Sequence, residues 1–259
     1  MALIIAGHQR SGTTLLKNLF NSHPEISITG EFGNFMLIDA PYSVYARFIL
    51  HRWWRKRNAA ILQSYPLKGM NMWNNLVFVL MYLKSIKRHA QGWVQVRSIE
   101  NALKDCFPNS RIVGDKYPDH VFELQKLVRG EGIKCLFISR DPRDVASSAL
   151  KRGRTELRNS WPDELRSARL IAERWCYAMK LIEQYRDKIF LVRYEDLVLN
   201  PRLYLSKFGD WIGVNPEGFR NEIVHAKSIG KYLHGLTEDE ISEIIEVAGP
   251  VMQRFDYTY

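Results

Sequence analysis

The chain has 259 residues, 46% hydrophobic and 25% charged, and this ordinary globular composition excludes wholesale disorder. Its 37 Lys and Arg outnumber its 28 Asp and Glu, and the net charge of +9 favours an anionic partner: a nucleotide, a nucleic acid, a sulfated or phosphorylated ligand, or a membrane surface. Three widely spaced cysteines cannot build a disulfide framework or a CxxC metal site, so a reducing compartment is expected.

The chain shows no sign of a targeting or membrane-spanning segment. Residues 1–7 are too short an apolar stretch for a signal peptide, and the longest apolar run, residues 76–83, is too short for a membrane span. We therefore expect a cytoplasmic protein, with a membrane surface as a candidate contact. Because no linker, repeat or low-complexity tract divides the chain, a single domain over residues 1–259 is predicted.

Short apolar strands alternate with helices along the chain. Strands are predicted at residues 3–6, 26–29, 111–114, 133–139 and 189–192. Helices are predicted at 13–21, across much of 35–86, after Pro118, from Pro142, over 162–185 as the longest helix, and in the C-terminal third, where Thr237 and Glu240 form a capping-box pattern. This alternation predicts the α/β class, a three-layer sandwich with a central parallel sheet.

A phosphate-binding loop is predicted between the first strand and the first helix, at residues 7–14 (GHQRSGTT). Glycines permit close backbone approach, and the first N–H groups of a helix point at an anion. Nucleoside triphosphatases carry a lysine at the position of Thr13, which contacts the β- and γ-phosphates. Its absence argues against ATP or GTP hydrolysis and leaves Arg10 and the hydroxyls of Ser11, Thr13 and Thr14 as anion ligands. The alternative is an ordinary capped helix N-terminus.

Three motifs, in this order, resemble those of sulfotransferases that use 3′-phosphoadenosine 5′-phosphosulfate (PAPS). The loop from Arg10 to Thr14, followed by His23-Pro24, resembles the family's 5′-phosphosulfate loop. Residues 137–148 are similar to its 3′-phosphate motif, and residues 193–201 to its next signature. The bacterial and tyrosylprotein sulfotransferases look most similar. The resemblance implies a fold like that of P-loop nucleotide kinases and transfer of a sulfuryl group from PAPS to an acceptor hydroxyl, giving adenosine 3′,5′-bisphosphate. The acceptor class stays open among small molecules, sugars, lipids and peptide tyrosines.

The resemblance also implies catalytic roles for particular residues. Glu31 stands where the tyrosylprotein branch has a glutamate base; a solvated loop glutamate is the alternative reading. The cytosolic branch uses a histidine just after a Lys-Thr pair, and His120, slightly beyond that place, is the rival base. Lys116 matches a basic residue of the family, and it would share with Arg10 the neutralisation of the bridging oxygen as the nucleotide leaves.

Further residues are expected to bind the nucleotide. Arg140 and Ser148 would hold the 3′-phosphate, because a guanidinium reads a phosphate bidentately. Tyr194 matches a tyrosine near the nucleotide, unless it is a core aromatic, and Lys231 matches a segment that closes over the nucleotide. The set expected to bind the co-substrate is Arg10, Ser11, Gly12, Thr13, Thr14, Arg140, Ser148, Tyr194 and Lys231. No cluster has metal-ligand spacing, so no metal is predicted.

The basic stretch 42–60, which contains Trp53 and Trp54, admits four interpretations. It is a helix with a basic outer face and buried tryptophans, a membrane contact, a nucleic-acid contact, or a lining of the acceptor pocket. No nucleic-acid partner is expected. Two rival functions also stay open: a phosphotransferase or nucleotide kinase on the same fold, and a non-enzymatic anion- or membrane-binding protein, which would not need Glu31.

Overall fold

The structure, a computed structural model, describes residues 1–56, 71–155 and 162–258. Five of its strands form one parallel sheet in the order β2-β5-β1-β6-β7, and β3 pairs antiparallel with β4 in a separate ribbon. The strand bounds are Ala2–Ala6 (β1), Ile26–Gly30 (β2), Ala40–Pro41 (β3), Trp93–Val94 (β4), Ile112–Lys116 (β5), Ile133–Ser139 (β6) and Phe190–Arg193 (β7). Every residue of β1, β2 and β5 is buried, as expected for parallel strands covered on both faces.

Helices follow most of the strands. Their bounds are Thr13–Phe20 (α1), Tyr42–Lys56 (α2), Asn71–His89 (α3), Val96–Cys106 (α4), Leu124–Leu127 (α5), Pro142–Thr155 (α6), Ala168–Gln184 (α7), Tyr194–Leu199 (α8), Pro201–Ile212 (α9), Tyr232–Gly235 (α10) and Glu238–Arg254 (α11). The capping box at the start of α11 is confirmed: the Thr237 hydroxyl accepts from the Glu240 N–H, and the Glu240 carboxylate accepts from the Thr237 N–H.

Two helix predictions need correction. The segment after Pro118 is a 3-10 helix, Pro118–Glu123, followed by the single turn of α5. The helix predicted over 162–185 begins only at Ala168, because the Ser167 hydroxyl accepts from the Leu170 N–H and caps it there. At 17 residues it is also shorter than α3, which has 19.

Apolar side chains cover both faces of the sheet. Because successive strand residues point to opposite faces, Ile4 lies in one core with residues of α3, α4, α6, α7 and α11, whereas Leu3 and Ile5 lie in the other with residues of α1, α8 and α9. This arrangement confirms the predicted three-layer α/β class.

The register of the sheet determines which side chains meet at its carboxyl edge. Lys116, the last residue of β5, lies opposite Gly30, the last residue of β2. Glu31 therefore follows directly beside Lys116, and the loop after β1 emerges on the other side of β5. The carboxyl edge of an open parallel sheet is where such folds bind ligands.

Candidate active site

The loop after β1 depends on two glycines. A Cβ on Gly7, which has φ 151°, would lie 2.2 Å from the backbone oxygen of Ile138. A Cβ on Gly12, which has φ 105°, would lie 2.8 Å from the ring of Tyr194. Arg10 between them also has a positive φ, 71°. The tight turn brings Thr13 and Thr14, at the start of α1, to the wall of a cleft.

The cleft lies at the carboxyl edge of the sheet and has a volume of about 640 Å³. Its walls combine residues of the loop, of the ends of β2, β5, β6 and β7, and of the segment before α10. They are Gln9, Arg10, Gly12, Thr13, Thr14, Leu15, Glu31, Tyr117, Pro118, Asp119, Arg140, Ser148, Arg152, Tyr194, Ile223, His225, Lys227 and Ser228. Most of the predicted site residues therefore line one cavity. Ser11, which is fully buried, is not in its wall, and its hydroxyl has no hydrogen-bond partner among the described residues.

Arg140 anchors one end of the cleft. Its guanidinium lies 4.7 Å above the ring centre of Tyr194, which makes that tyrosine both a core aromatic and a wall of the site. One terminal nitrogen donates to the backbone oxygen of Arg10 at 3.2 Å, and the other lies 3.4 Å from Asp144. The Arg10 Nε donates to the Ser148 hydroxyl at 3.0 Å, so Arg10 reaches the residues expected at the 3′-phosphate.

A second pocket of about 320 Å³ continues from this end of the cleft. Its wall is strongly basic and contains one carboxylate, Asp144. The residues are Arg10, Arg140, Asp144, Ser147, Ser148, Lys151, Arg152, Thr155, Ser228 and Lys231. Lys231 thus shares the wall of this pocket with Arg140 and Ser148. Five cations around one small pocket suit a doubly charged phosphate.

Glu31 and Lys116 form an ion pair on the opposite side of the loop. The Lys116 Nζ donates to the Glu31 Oε1 at 2.7 Å; the lysine side chain is 5% exposed and the glutamate 38%. Glu31 has a φ of 55°, a left-handed conformation that costs a non-glycine residue about 1 kcal/mol or more. Its N–H donates to the Lys116 oxygen at 2.6 Å, and its carbonyl accepts from the Arg52 guanidinium at 2.7 Å. These contacts hold the carboxylate at the cleft.

Asp115, completely buried beneath this pair, fastens the turn that carries Glu31. Its carboxylate accepts from the Thr29 hydroxyl at 2.8 Å, the Gly33 N–H at 2.6 Å and the Phe32 N–H at 3.3 Å. Burial raises the pKa of Asp115, and the three hydrogen bonds oppose that rise. The residue before the lysine therefore sets the backbone of the residue expected to be the base.

His120, the rival base, lies in the core. It is 0% exposed, does not line the cleft, and neither ring nitrogen has a hydrogen-bond partner among the described residues. Its ring packs edge-on against Tyr117 at 5.4 Å, and burial lowers its pKa to about 3. A buried neutral imidazole behind the wall does not meet an acceptor, so the geometry favours Glu31.

Comparison with known proteins agrees with this site. The sequence model of the sulfotransferase family matches residues 2–217. The chain belongs to the sulfotransferase family. The predicted resemblance is confirmed, and sulfuryl transfer rather than phosphoryl transfer is its reaction class. Comparison with curated protein sequences gave no match.

Solved sulfotransferase structures share the fold of this sulfotransferase. STF9 from Mycobacterium avium superposes with a TM-score of 0.56 at 15% identity, over 99% of this chain and 77% of that one. The sulfotransferase domain of the curacin biosynthetic pathway superposes with a TM-score of 0.56 at 18% identity, over 100% of this chain and 98% of that one. Mouse SULT7A1, solved in complex with PAP (adenosine 3′,5′-bisphosphate), superposes with a TM-score of 0.50 at 13% identity, over 98% of this chain and 85% of that one.

Sequence reasoning missed several residues of this sulfotransferase's site. Arg152 lies four residues after Ser148 on α6, so helical spacing from the expected serine could have found it. Lys17 is 5% exposed on α1, close enough to Lys116 and Glu31 to feel both charges; burial is the main cause that lowers its pKa. A lysine on the buried face of a short helix was the available signal.

The described part of the basic tryptophan segment is the helix α2; its residues 57–60 lie outside the described residues. Arg52 stacks over the Tyr117 ring at 4.8 Å and contacts the backbone of Glu31, so α2 contributes to the Glu31 end of the site. Trp53 packs partly buried against the core. Trp54 is 59% exposed, so the expectation that both tryptophans are buried is wrong.

Among the residues that the structure describes, no helix combines the length and hydropathy needed to cross a membrane. The same residues contain no group of three or more His, Cys, Asp or Glu that could hold a metal ion. Arg143 pairs with Asp141, two residues before it, at 2.6 Å.

Proposed function

We propose that this sulfotransferase uses PAPS, releases adenosine 3′,5′-bisphosphate, and carries out the reaction in one domain spanning the chain. The observation that carries the proposal is that one cleft and the pocket continuing from it join the lysine-free phosphate loop, Glu31 and the basic residues around Arg140, with Lys116 paired to Glu31. The loop suits the 5′-phosphosulfate, and the pocket suits the 3′-phosphate, a group that ADP and ATP lack. The PAP complex of the structurally similar mouse enzyme supports this choice.

The chemistry follows from the ion pair. Glu31 takes the proton of the acceptor hydroxyl, the oxygen attacks sulfur, and the bond between sulfur and the bridging oxygen breaks, leaving that oxygen on the 5′-phosphate. Lys116 donates a hydrogen bond to the bridging oxygen as negative charge develops on it. Lys116 pairs with Glu31 at 2.7 Å. A hydrogen bond from Lys116 to the bridging oxygen would leave the Glu31 carboxylate able to take the proton.

The acceptor carries a hydroxyl, and small molecules, sugars, lipids and peptide tyrosines are its candidate classes. We assign the lining near Arg52 and Tyr117 to the acceptor because these residues lie beside Glu31, away from the basic pocket. A membrane-surface contact, a metal-free reaction and a cytoplasmic location complete the proposal; the three cysteines are all free thiols, in keeping with a reducing compartment. We propose no nucleic-acid partner.

Thermal-shift measurements test the nucleotide assignment. A ligand at a hundredfold excess over its Kd stabilises the folded state by roughly 2.7 kcal/mol, and at a given concentration a ligand with a lower Kd stabilises it more. Adenosine 3′,5′-bisphosphate should therefore raise the Tm more than the same concentration of ADP does. Arg140→Ala should abolish most of that difference, whereas Arg202→Ala, at an exposed site on α9, should retain it. Equal stabilisation by ADP and the bisphosphate contradicts the assignment. Transfer of radiolabelled sulfur from PAPS to candidate hydroxyl acceptors then identifies the acceptor class.

A further inference from the structure

The positive charge of the chain is concentrated in one segment. Residues 40–99 contain ten Lys and Arg and no Asp or Glu, whereas the other 199 residues carry 27 basic and 28 acidic side chains. The same segment contains four of the seven tryptophans, at positions 53, 54, 73 and 93. Its described part consists mainly of α2 and α3. The cleft does not account for this concentration: among the cations of the segment that the structure describes, only Arg52 contacts the site residues described above.

Large apolar side chains and cations share the exposed faces of α2 and α3. On α3 the exposed positions recur at helical spacing and change from apolar at the start to basic at the end. The exposed apolar residues are Val44, Leu50 and Trp54 on α2, Trp73, Val77, Leu80 and Met81 on α3, and Trp93 on β4, with exposures from 37% to 59%. The exposed basic residues include Arg47, Arg55, Lys84, Lys87 and Arg88. We call this set the α2–α3 face.

Contacts between the two helices join these residues into one surface. The Tyr42 hydroxyl donates to the Leu83 oxygen at 3.3 Å, and the hydroxyls of Tyr45 and Tyr82 lie 2.6 Å apart. These tyrosines face the core, so the opposite sides of both helices point away from the sheet. Arg52 connects the last turns of α2 to the backbone of Glu31, a residue of the cleft wall, so the α2–α3 face lies near this end of the cleft.

We propose that the α2–α3 face docks on an anionic membrane surface. Exposed tryptophans, leucine and methionine beside cations, on two helices that carry no acid of their own, match the composition of segments that lie in the headgroup region with their apolar side chains inserted. One acid borders the face: Asp105 of α4 lies 3.5 Å from Arg88. The cations would contact anionic lipid headgroups. Because no described helix can span a bilayer, the contact is peripheral.

Two other occupants fit this surface less well. A second copy of the chain, paired by a two-fold axis, would bring the same predominantly basic face against itself, and the like charges would repel. A nucleic acid would engage the cations but would leave Val77, Leu80 and Met81 exposed, because a phosphate backbone offers them no apolar partner. The docking proposal concerns a surface outside the cleft and does not depend on the reaction carried out there.

Vesicle flotation tests the proposal with the full chain. The probes are large unilamellar vesicles of phosphatidylcholine alone and of phosphatidylcholine with about one-third phosphatidylserine, at about 0.1 M salt. We expect binding to the anionic vesicles, weak binding to the neutral ones, and loss of binding as salt rises. Each Lys or Arg near such a surface strengthens binding about fivefold, so Lys84→Glu/Lys87→Glu should weaken it by about 25-fold or more.

Matched variants separate docking from general effects of charge and hydropathy. Arg202→Glu/Lys207→Glu makes the same change in net charge on exposed positions of α9 and should retain vesicle binding. Trp73→Ser/Leu80→Ser should weaken binding by about tenfold or more, whereas Leu199→Ser/Leu203→Ser, at similarly exposed leucines outside the face, should not. Adenosine 3′,5′-bisphosphate binding, followed by thermal shift, shows that each variant is folded.

Each remaining outcome overturns the proposal. Absence of vesicle binding would do so, as would equal binding to neutral and anionic vesicles, or equal losses in the α2–α3 variants and their controls. Light scattering, which measures the molar mass in solution, tests the alternative that the face binds a second copy of the chain. A concentration-dependent dimer that Trp73→Ser/Leu80→Ser dissociates, in a chain that ignores vesicles, would assign the face to self-association. Binding of a DNA or RNA duplex in place of vesicles, lost in Lys84→Glu/Lys87→Glu, would assign it to a nucleic acid.

Discussion

Glu31 and Lys116 lie 2.7 Å apart, at the ends of neighbouring strands. The pair places a carboxylate, a group that can take a proton, directly beside an ammonium, a group that can donate a hydrogen bond to a developing negative charge. The left-handed backbone of Glu31 is kept by fixed partners on both sides of it, and these contacts hold the carboxylate at the cleft.

Replacing Glu31 by Gln tests its role as the base. The amide keeps the shape but accepts no proton, so kcat should fall by about 10²–10⁴ while binding of adenosine 3′,5′-bisphosphate stays near normal. The assay needs an aliphatic alcohol as acceptor, because an acidic phenol ionises without help and would hide the loss. His120→Phe, which keeps an aromatic ring in the core, should retain most of the turnover. Full activity in Glu31→Gln together with an inactive, nucleotide-binding His120→Phe would reverse the assignment.

Asp115→Asn tests how the base is positioned. The amide can still accept from the Thr29 hydroxyl, but its NH₂ group would face the Gly33 N–H, so one buried donor loses its acceptor. Such a loss costs about 1–3 kcal/mol, measurable by urea unfolding. Because the turn then relaxes around Glu31, kcat should also fall while the KM for PAPS changes little. Ser27→Ala, which removes a nearly buried hydroxyl that contacts Ser110, is the control and should leave kcat unchanged.

The start of α1 shows how a helix depends on one glycine. Gly12 has φ 105° and no room for a Cβ beside Tyr194; Gly132 has φ 82°, and nothing lies within 4 Å of its Cβ position. Both alanine variants should lose stability, by about 1–2 kcal/mol from the left-handed backbone alone. Only Gly12→Ala also displaces the ring beneath Arg140. Isothermal titration should therefore show weaker nucleotide binding for Gly12→Ala and unchanged binding for Gly132→Ala; equal effects would mean that backbone strain alone matters.

Elements that rest on local pattern were predictable from the sequence. The bounds of β6 agree at both ends, because a run of apolar residues between a Gly and an Arg leaves little choice. The predicted start of α7 was wrong. Pro162 suggested the first turn of the helix, whereas the helix begins after its cap at Ser167. Asp115 and Arg52 were missed for a different reason. Their roles depend on which strands and helices become neighbours, and sequence spacing does not contain that information.

At the scale of the whole molecule, the two ends of the cleft differ in how far the sequence predicts them. The end proposed for the nucleotide uses motifs at short spacing, Arg10 to Thr14 and Arg140 to Ser148, and the structure brings them together in one cleft. The end proposed for the acceptor is assembled from α2, β2 and the segment after β5, which lie far apart in the chain. Its residue types follow no short motif, so the structure was needed to show that α2 reaches Glu31.

Two buried histidines make the stability of the whole fold depend on pH. Burial lowers the pKa of His120 to about 3 and that of His8 to about 4, from 6.5. Between pH 6 and pH 5 both rings stay neutral in the folded state, whereas the unfolded chain takes up protons. The stability that they contribute is therefore complete above pH 6.5 and is lost as pH falls, by about 1 kcal/mol for each histidine over this interval.

His120→Phe isolates one of these contributions. Urea unfolding at pH 6 and pH 5 should show that the native chain loses about 1 kcal/mol more than His120→Phe does over the same interval. The comparison of slopes matters because burial raises the pKa of Asp115 and Glu195, and these carboxyl groups act in the opposite direction in both proteins. Because the test compares the dependence of stability on pH, a pH-independent loss of stability caused by the phenylalanine ring does not affect it. Parallel dependence on pH in the two proteins would show that His120 takes up its proton in the folded state, and hence that it is open to water rather than enclosed behind the cleft.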